Sequence, residues 1–384
     1  MIDILDYRRA ETLAKTALRE WRLPLAHMPP TFIDNGFPLR LESRDQLLLI
    51  LDTMQEDRFD FYVQEMGGLN PSEIHELVDA LSAFAAFHLA TFPGKTVQLP
   101  LSTFLSQLVI ALKLRHLRPR GQILEVGPGC GYLSYFISND SEITRYHTIE
   151  VTESFYILQS LINAQIFQAQ YQNHAQIDAR GLGIAEMGPL EATEPNKKHY
   201  WAFEETSAIH VTRTPRMAQF PWWRLGDLVE NNYDVITMNA NLTEFSKAAL
   251  FHYVEVVKRA LKQDGFLFCH CQGGGTLDLP TIFGALQEAG LRALAVLPGS
   301  MQETVGARKF VVSNFLFVRD DHSTLRAYTA NQVKVPVFDP SCSLLRLMFG
   351  LERPGGHLVT RHEIMGQVIE TLGARTGLTA CAAS

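Results

Sequence analysis

The run Ile123-Leu124-Glu125-Val126-Gly127-Pro128-Gly129-Cys130-Gly131 holds the densest chemical signal in the sequence. An apolar stretch containing one acid gives way to glycines at alternate positions, and a helix-patterned segment, GYLSYFISN, follows. Glycine permits turns that a Cβ would block and lets backbone approach a ligand closely. A helix beyond such a turn points its free N–H groups and positive dipole end at whatever lies there. Gly127, Gly129 and Gly131 are therefore candidate ligand-binding residues, with Glu125 at the same strand end. Two ligand classes stay open on this spacing. A dinucleotide fingerprint runs G-x-G-x-x-G, whereas here the sixth position is Tyr132 and the third glycine arrives one residue early. A glycine-rich strand-to-helix turn with no ligand is the plain structural alternative.

Three further places carry chemistry. Glu150 falls near the end of the apolar run RYHTIEV, 19 residues after Gly131. A carboxylate there accepts hydrogens from both ribose hydroxyls, so an adenosine-bearing ligand is expected, with Glu153 the competing acid. The segment YDVITMNANLTEF (233–245) places Asn239, Asn241 and Glu244 beyond a strand's carboxyl end, where open α/β sheets bind ligands. Asp234, at the start of that strand, reads as structural. The run GFLFCHC (265–271) carries His270, whose face is undetermined by one register step because strand side chains alternate. Glu244 and His270 are the candidate catalytic bases. Their bland counterparts are capping of the next helix by Glu244 with Thr243 and Ser246, and a hydrogen-bonded core histidine. Cys269 and Cys271 share a strand face but lack a second ligand pair at zinc spacing, so no metal is expected and two buried thiols suffice. Trp222 and Trp223, with Phe220 and Pro221, either stack on adenine or a sugar or pack against the sheet.

The order acid-x-Gly-x-Gly-x-Gly at Glu125–Gly131, followed by Glu150 and the Asn239–Glu244 exit loop, resembles class I S-adenosylmethionine (SAM)-dependent methyltransferases. The resemblance implies that the glycine turn lies beside the methionine part of SAM, with Glu125 holding its amino group through water. It implies that Glu150 binds the ribose and Asn239 lines the same site. Donor and acceptor would meet at the Asn239–Glu244 loop. A narrower likeness, over roughly residues 105–275, is to bacterial proteins provisionally named sugar O-methyltransferases. It rests on ILEVGPGCG, IEVTESFYILQSLI and NANLTEF with HYVEVVKRALKQDGFLF. Pro128, Cys130 and Phe245 depart from that pattern. The implied activity is methyl transfer to a hydroxyl of a sugar or specialised metabolite. N-methylation of a small amine, a SAM-binding protein without catalysis, and a SAM-scaffold enzyme of non-methyl chemistry are the alternatives.

The elements that must position these residues are legible in outline. Residues 1 to about 118 read as helices, from DYRRAETLAKTALREWRL, NPSEIHELVDALSAFAAFHLATF and LSTFLSQLVIALKLRHL, with apolar residues at i, i+3, i+4 spacing. Such helices are expected to select the acceptor, cover the site, or offer a homodimer surface. From 119 to about 320, short apolar runs alternate with helices, the pattern of a parallel Rossmann-like sheet. RALAVLP and KFVVSNFLFV are its expected closing strands. The proline- and glycine-rich stretch 172–230 reads as an insertion, with a strand near SAIHVTRT (207–214) and His210 placed to line a lid. The extension 321–384 shows one helix, RHEIMGQVIETLGA, and no legible role.

Composition is ordinary for a soluble globular protein. The 384 residues are 46% hydrophobic and 20% charged, with a net charge of −7 that disfavours a nucleic-acid groove. Five scattered cysteines do not make a disulfide framework, and neither a signal peptide nor a membrane span is legible, so a cytoplasmic enzyme is expected.

Overall fold

The computed structural model describes residues 2–18, 37–53, 57–175, 215–228, 233–272, 277–297, 302–305, 308–325 and 356–376. Helices α1 (Ile4–Ala17), α2 (Leu47–Thr53), α3 (Phe59–Glu65), α4 (Pro71–Thr91) and α5 (Leu101–Leu114) precede the first strand. Asn70 opens α4 with a capping box. Its side chain accepts from the Glu73 N–H at 3.0 Å while the Glu73 carboxylate accepts from the Asn70 N–H at 2.9 Å, and Pro71 fills the first helical position.

The chain then alternates strands and helices: β1 (Gln122–Val126), α6 (Leu133–Ile137), β2 (Arg145–Glu150), α7 (Glu153–Phe167), β3 (Tyr171–Asn173), β4 (Met217–Pro221), β5 (Tyr233–Asn239), α8 (Lys247–Ala260), β6 (Leu261–Gln272), α9 (Leu279–Glu288), β7 (Leu291–Leu297), β8 (Gln302–Val305) and β9 (Arg308–Arg319), with α10 (Arg361–Thr376) last. The strands lie in the order β3-β4-β2-β1-β5-β6-β9-β7, and β8 pairs with β9. The six strands from β3 across to β6 pair in parallel, whereas β9 runs antiparallel to β6, β7 and β8. This is a Rossmann-like α/β sheet that reverses its winding between β1 and β5, the switch point where such sheets open a crevice. Within the 172–230 stretch β4 is the strand that pairs with β2, and the stretch proposed at 207–214 lies outside the described residues, as does His210.

Strand alternation divides the core. Ile123 of β1 points into one cluster with Tyr7, Phe84, Phe104 and Phe136, while Leu124 and Val126 point into a second with Tyr253 and Leu286. The helices before β1 thus share one continuous core with one face of the sheet, and α8 and α9 cover the other. Helix α10 packs along α4; Leu69 and His357 exchange backbone hydrogen bonds at 2.9 Å, and Arg361 pairs with Asp57 at 2.5 Å. No helix among the described residues is long and apolar enough to cross a membrane.

Candidate active site

A cavity of about 250 Å3 opens at the carboxyl ends of β1, β2, β5 and β6. Seven of the eight sequence-selected residues line it: Glu125, Gly127, Gly129, Glu150, Asn239, Glu244 and His270. Gly131 is set back from the wall, and a Cβ there would meet Gln159 Cγ at 2.9 Å. All three glycines have left-handed φ, at +65° (Gly127), +57° (Gly129) and +77° (Gly131), which explains why the turn is written in glycine. At Gly127 a Cβ would lie 2.6 Å from Asn241 Nδ2, whereas at Gly129 nothing lies within 4 Å, so its backbone faces open space. Ala240 also has a positive φ, +58°, at the tip of β5, a conformation that costs an L-residue about 1–2 kcal/mol and that recurs at functional sites.

The acids are held differently from one another. Glu125 is buried on β1, where the Tyr146 hydroxyl donates to Oε2 and Asn239 Nδ2 donates to Oε1 at 3.4 Å. Burial pushes its carboxyl up to about 7, against the lowering effect of those two hydrogen bonds. Glu150 accepts from the N–H groups of Val151 and Thr152 at 2.8 and 2.9 Å through Oε1, and from Gln159 Nε2 at 3.1 Å through Oε2. The same Gln159 amide donates to the Gly129 carbonyl at 2.5 Å, tying the glycine turn to the end of β2. Burial raises the Glu150 carboxyl as well. Glu244 ends a short 3-10 turn after β5, and its carboxylate has no hydrogen-bond partner among the described residues; burial, then the neighbouring Glu150 charge, pushes it up to about 8. It does not cap α8, a task that Ser246 performs by accepting from the Ala249 N–H at 3.2 Å. Asn241 donates through Nδ2 to the Val126 carbonyl, and its buried Oδ1 has no partner among the described residues.

His270 is buried at the cavity wall, and its Nδ1 donates to Asn314 Oδ1 at 2.8 Å. The β6–β9 register sets the two opposite each other. Lys113 of α5 reaches the same oxygen at 3.4 Å. Cys130 also lines the cavity, and burial pushes its thiol up to about 12, so it stays protonated. Cys269 is buried, in keeping with a core thiol, while the side chain of Cys271 lies outside the described residues. The roof comes from before β1: Phe37, Tyr62 of α3, and Thr103, Ser106, Gln107 and Ile110 of α5. Among the described lining residues there are three glutamates and neither lysine nor arginine.

Two expectations resolve towards structure. Trp222 and Trp223 are buried and away from the cavity. Trp222 Nε1 donates to Glu11 at 3.3 Å, and the Trp223 ring lies 5.0 Å from that of Tyr7, so they dock α1 instead of facing a ligand. Glu153, the rival of Glu150, accepts from Arg8 at 2.8 and 2.9 Å, from Arg40 at 2.6 Å and from the Leu41 N–H at 2.9 Å, and so belongs to the attachment of the amino-terminal segment. Tyr146, Gln159 and Asn314 escaped the sequence reading because each acts through a partner distant in the chain.

No protein-family model matches the sequence, and comparison with curated proteins finds no match. Solved structures similar to the chain include a TehB-like SAM-dependent methyltransferase from Corynebacterium glutamicum, with 14% identity, 65% of this chain and 100% of that chain covered, and a TM-score of 0.34. An O-methyltransferase from Bacillus cereus in complex with SAH is 15% identical over 67% of this chain and 96% of that chain, with a TM-score of 0.32. A ribosomal protein L11 methylase from Lactobacillus delbrueckii subsp. bulgaricus is 14% identical over 55% and 77%, with a TM-score of 0.30. At such identities and scores the likeness decides nothing about this chain's chemistry.

Proposed function

We propose that the protein is a SAM-dependent methyltransferase that acts on a small molecule, at a hydroxyl oxygen of a sugar or specialised metabolite. The observation that carries this reading is the acidic cavity wall, with Glu125, Glu150 and Glu244 around a left-handed glycine turn and no lysine or arginine among its described residues. A dinucleotide would bring a negatively charged diphosphate to that turn, where no described lining side chain is a lysine or arginine to pair with it. SAM instead brings a sulfonium and an ammonium group. The unpartnered Asn241 Oδ1 and the open face of Gly129 suit it further.

On this reading Gly127 and Gly129 cradle the methionine part and Gly131 keeps the turn tight against α7. Glu125, with Asn239, faces the amino group, and Glu150 faces the ribose hydroxyls. The bound cofactor supplies an electrophilic methyl group. The chain's contribution is alignment, water exclusion under the Phe37–Tyr62–Ile110 roof, and a base that removes the acceptor proton. Glu244 and His270 are the candidates for that base, worth about 10²–10⁴-fold. Acceptor selection falls to the helices before β1, which supply the roof. The half-buried Glu244 carboxylate also favours a second reading, N-methylation of a small amine, which identification of the methylated product separates from the first. A SAM-binding protein without catalysis would bind the cofactor yet form no SAH with any acceptor.

Calorimetric titration with SAM, SAH and NAD tests the proposal. Binding of the first two, lost in Gly129→Val, supports it; binding of NAD alone returns the turn to a dinucleotide.

A further inference from the structure

Among the described residues no lysine or arginine lines the cavity beside its three glutamates, and Lys113 of α5 reaches Asn314 Oδ1, the partner of His270, at 3.4 Å. Glu244 shares the cavity with Glu125 and Glu150 at neighbouring strand ends, His270 on β6 and Tyr253 on α8, and Glu150 is the charge that acts on it. Helix α9, packed behind the turn, carries no lysine or arginine, and the one lysine of β6, Lys262, is bound to Asp234 at the opposite end of the sheet. Asn241 Oδ1, more than nine-tenths buried, adds a further unpartnered acceptor to the same wall. Such a site waits for a positive charge.

We propose that Glu244 is a charge-linked proton carrier, ionising when a cationic sulfonium enters the cavity and taking up a proton when that charge has gone. The inference rests on the cofactor reading above. With no cation present, burial and the neighbouring Glu150 keep the Glu244 carboxyl protonated through neutral pH, since it titrates at about 8. A positive charge nearby favours the carboxylate, so cofactor entry expels the proton. Glu244 is then in the form that accepts a proton from an acceptor hydroxyl. As the acceptor oxygen bonds to the methyl carbon, the S–CH3 bond breaks with its electron pair left on sulfur, and the hydroxyl proton passes to Glu244. One positive charge is lost at sulfur and one negative charge at Glu244, so the cavity returns to its resting charge. The activating charge and the base thus appear and disappear together.

The test is calorimetry at pH 7 in two buffers of different ionisation enthalpy, with SAM and with SAH. Both share the amino acid and adenosine groups, and only SAM carries the sulfonium, so the difference in proton release isolates that charge. The expected difference approaches one proton per site, with SAM affinity rising up to about tenfold per pH unit below pH 8 relative to SAH. In Glu244→Gln the difference falls by more than half while both ligands still bind; Glu125→Gln, read in parallel, removes a smaller share. Equal proton release by SAM and SAH, or an unchanged difference in Glu244→Gln, overturns the inference and leaves the cofactor reading standing. Absence of binding by either ligand overturns the cofactor reading and this inference with it.

Discussion

The two ends of the parallel strands handle charge in opposite ways. At their amino ends each buried charge has its partner. Asp234 accepts from the Gln122 N–H at 2.8 Å and pairs with Lys262 at 2.7 Å, and Arg120 grips Asp140 through two bonds of 3.0 and 3.2 Å. Arg216 donates to the carbonyls of Ile137, Ser138, Asp140 and Ile143 and so staples the loop before β2. At the carboxyl ends, three glutamates share a wall with no lysine or arginine and an asparagine oxygen lacks a partner, both among the described residues, and Ala240 holds a left-handed backbone. Matched charge at one end holds the fold together. Unmatched charge at the other is stability withheld for a ligand, and perturbed carboxyls in a cleft are the physical mark of such a place.

The sharpest way to break this contrast is at Gly129. Valine there is β-branched in a left-handed position and fills the open space above the turn. SAM affinity is expected to fall by at least about 100-fold in titration calorimetry with the far-UV spectrum unchanged. Asp234→Ala makes the complementary cut at the other end. It orphans a backbone N–H and Lys262, so unfolding free energy in urea should drop by about 1–3 kcal/mol while the SAM Kd holds. Should the affinity fall with the stability, the two ends are not independent.

A third test uses pH. The folded carboxyls of Glu125 and Glu244 titrate near about 7 and about 8, above their ordinary value of 4.5. Their protonated forms are therefore favoured by the fold. The stability they contribute is fully present below pH 4.5 and is lost as pH rises through 7 and 8. The melting temperature of the ligand-free protein should accordingly decline between pH 6 and 9, and Glu244→Gln should flatten the upper part of that decline. Ala240→Gly is the smallest perturbation: release of the left-handed strain is partly offset by backbone entropy, for a net gain of about 0.5 kcal/mol. A loss of stability there would show that the methyl group packs usefully.

How much of this was written in the sequence follows from how local the signals are. β1, β2, β5, β6 and β9 are apolar runs bounded by turns, and the Glu125–Gly131 spacing identifies its own turn. β4 was illegible. MAQFP is five residues long, ends in proline and carries Gln219, whose buried side chain is satisfied by Ser160, Tyr171, Gln159 and the Tyr156 carbonyl. Helix α9 also went unread, its apolar face lying against elements far off in the chain. The choice between Glu150 and Glu153 could not be made by spacing, because it is Arg8 and Arg40, more than a hundred residues away, that claim Glu153. The aromatic pair at Trp222 and Trp223 misled for the same reason: its partners, Glu11 and Tyr7, lie at the other end of the chain.

The attachment of the first helices to late parts of the chain has a consequence for biosynthesis. Helix α1 and the Arg40–Leu41 segment complete their bonds with Glu153 and Trp222, and α4 gains part of its cover with α10. At a synthesis rate of about 5–20 residues per second, residue 361 leaves the ribosome roughly 15–60 s after residue 41. From the emergence of α4 until that of α10, the flank of α4 on which α10 packs stays uncovered, whereas Phe84 and Phe104 meet Tyr132 as soon as the chain past β1 is made. That uncovered flank makes the nascent amino-terminal region a natural client for chaperones.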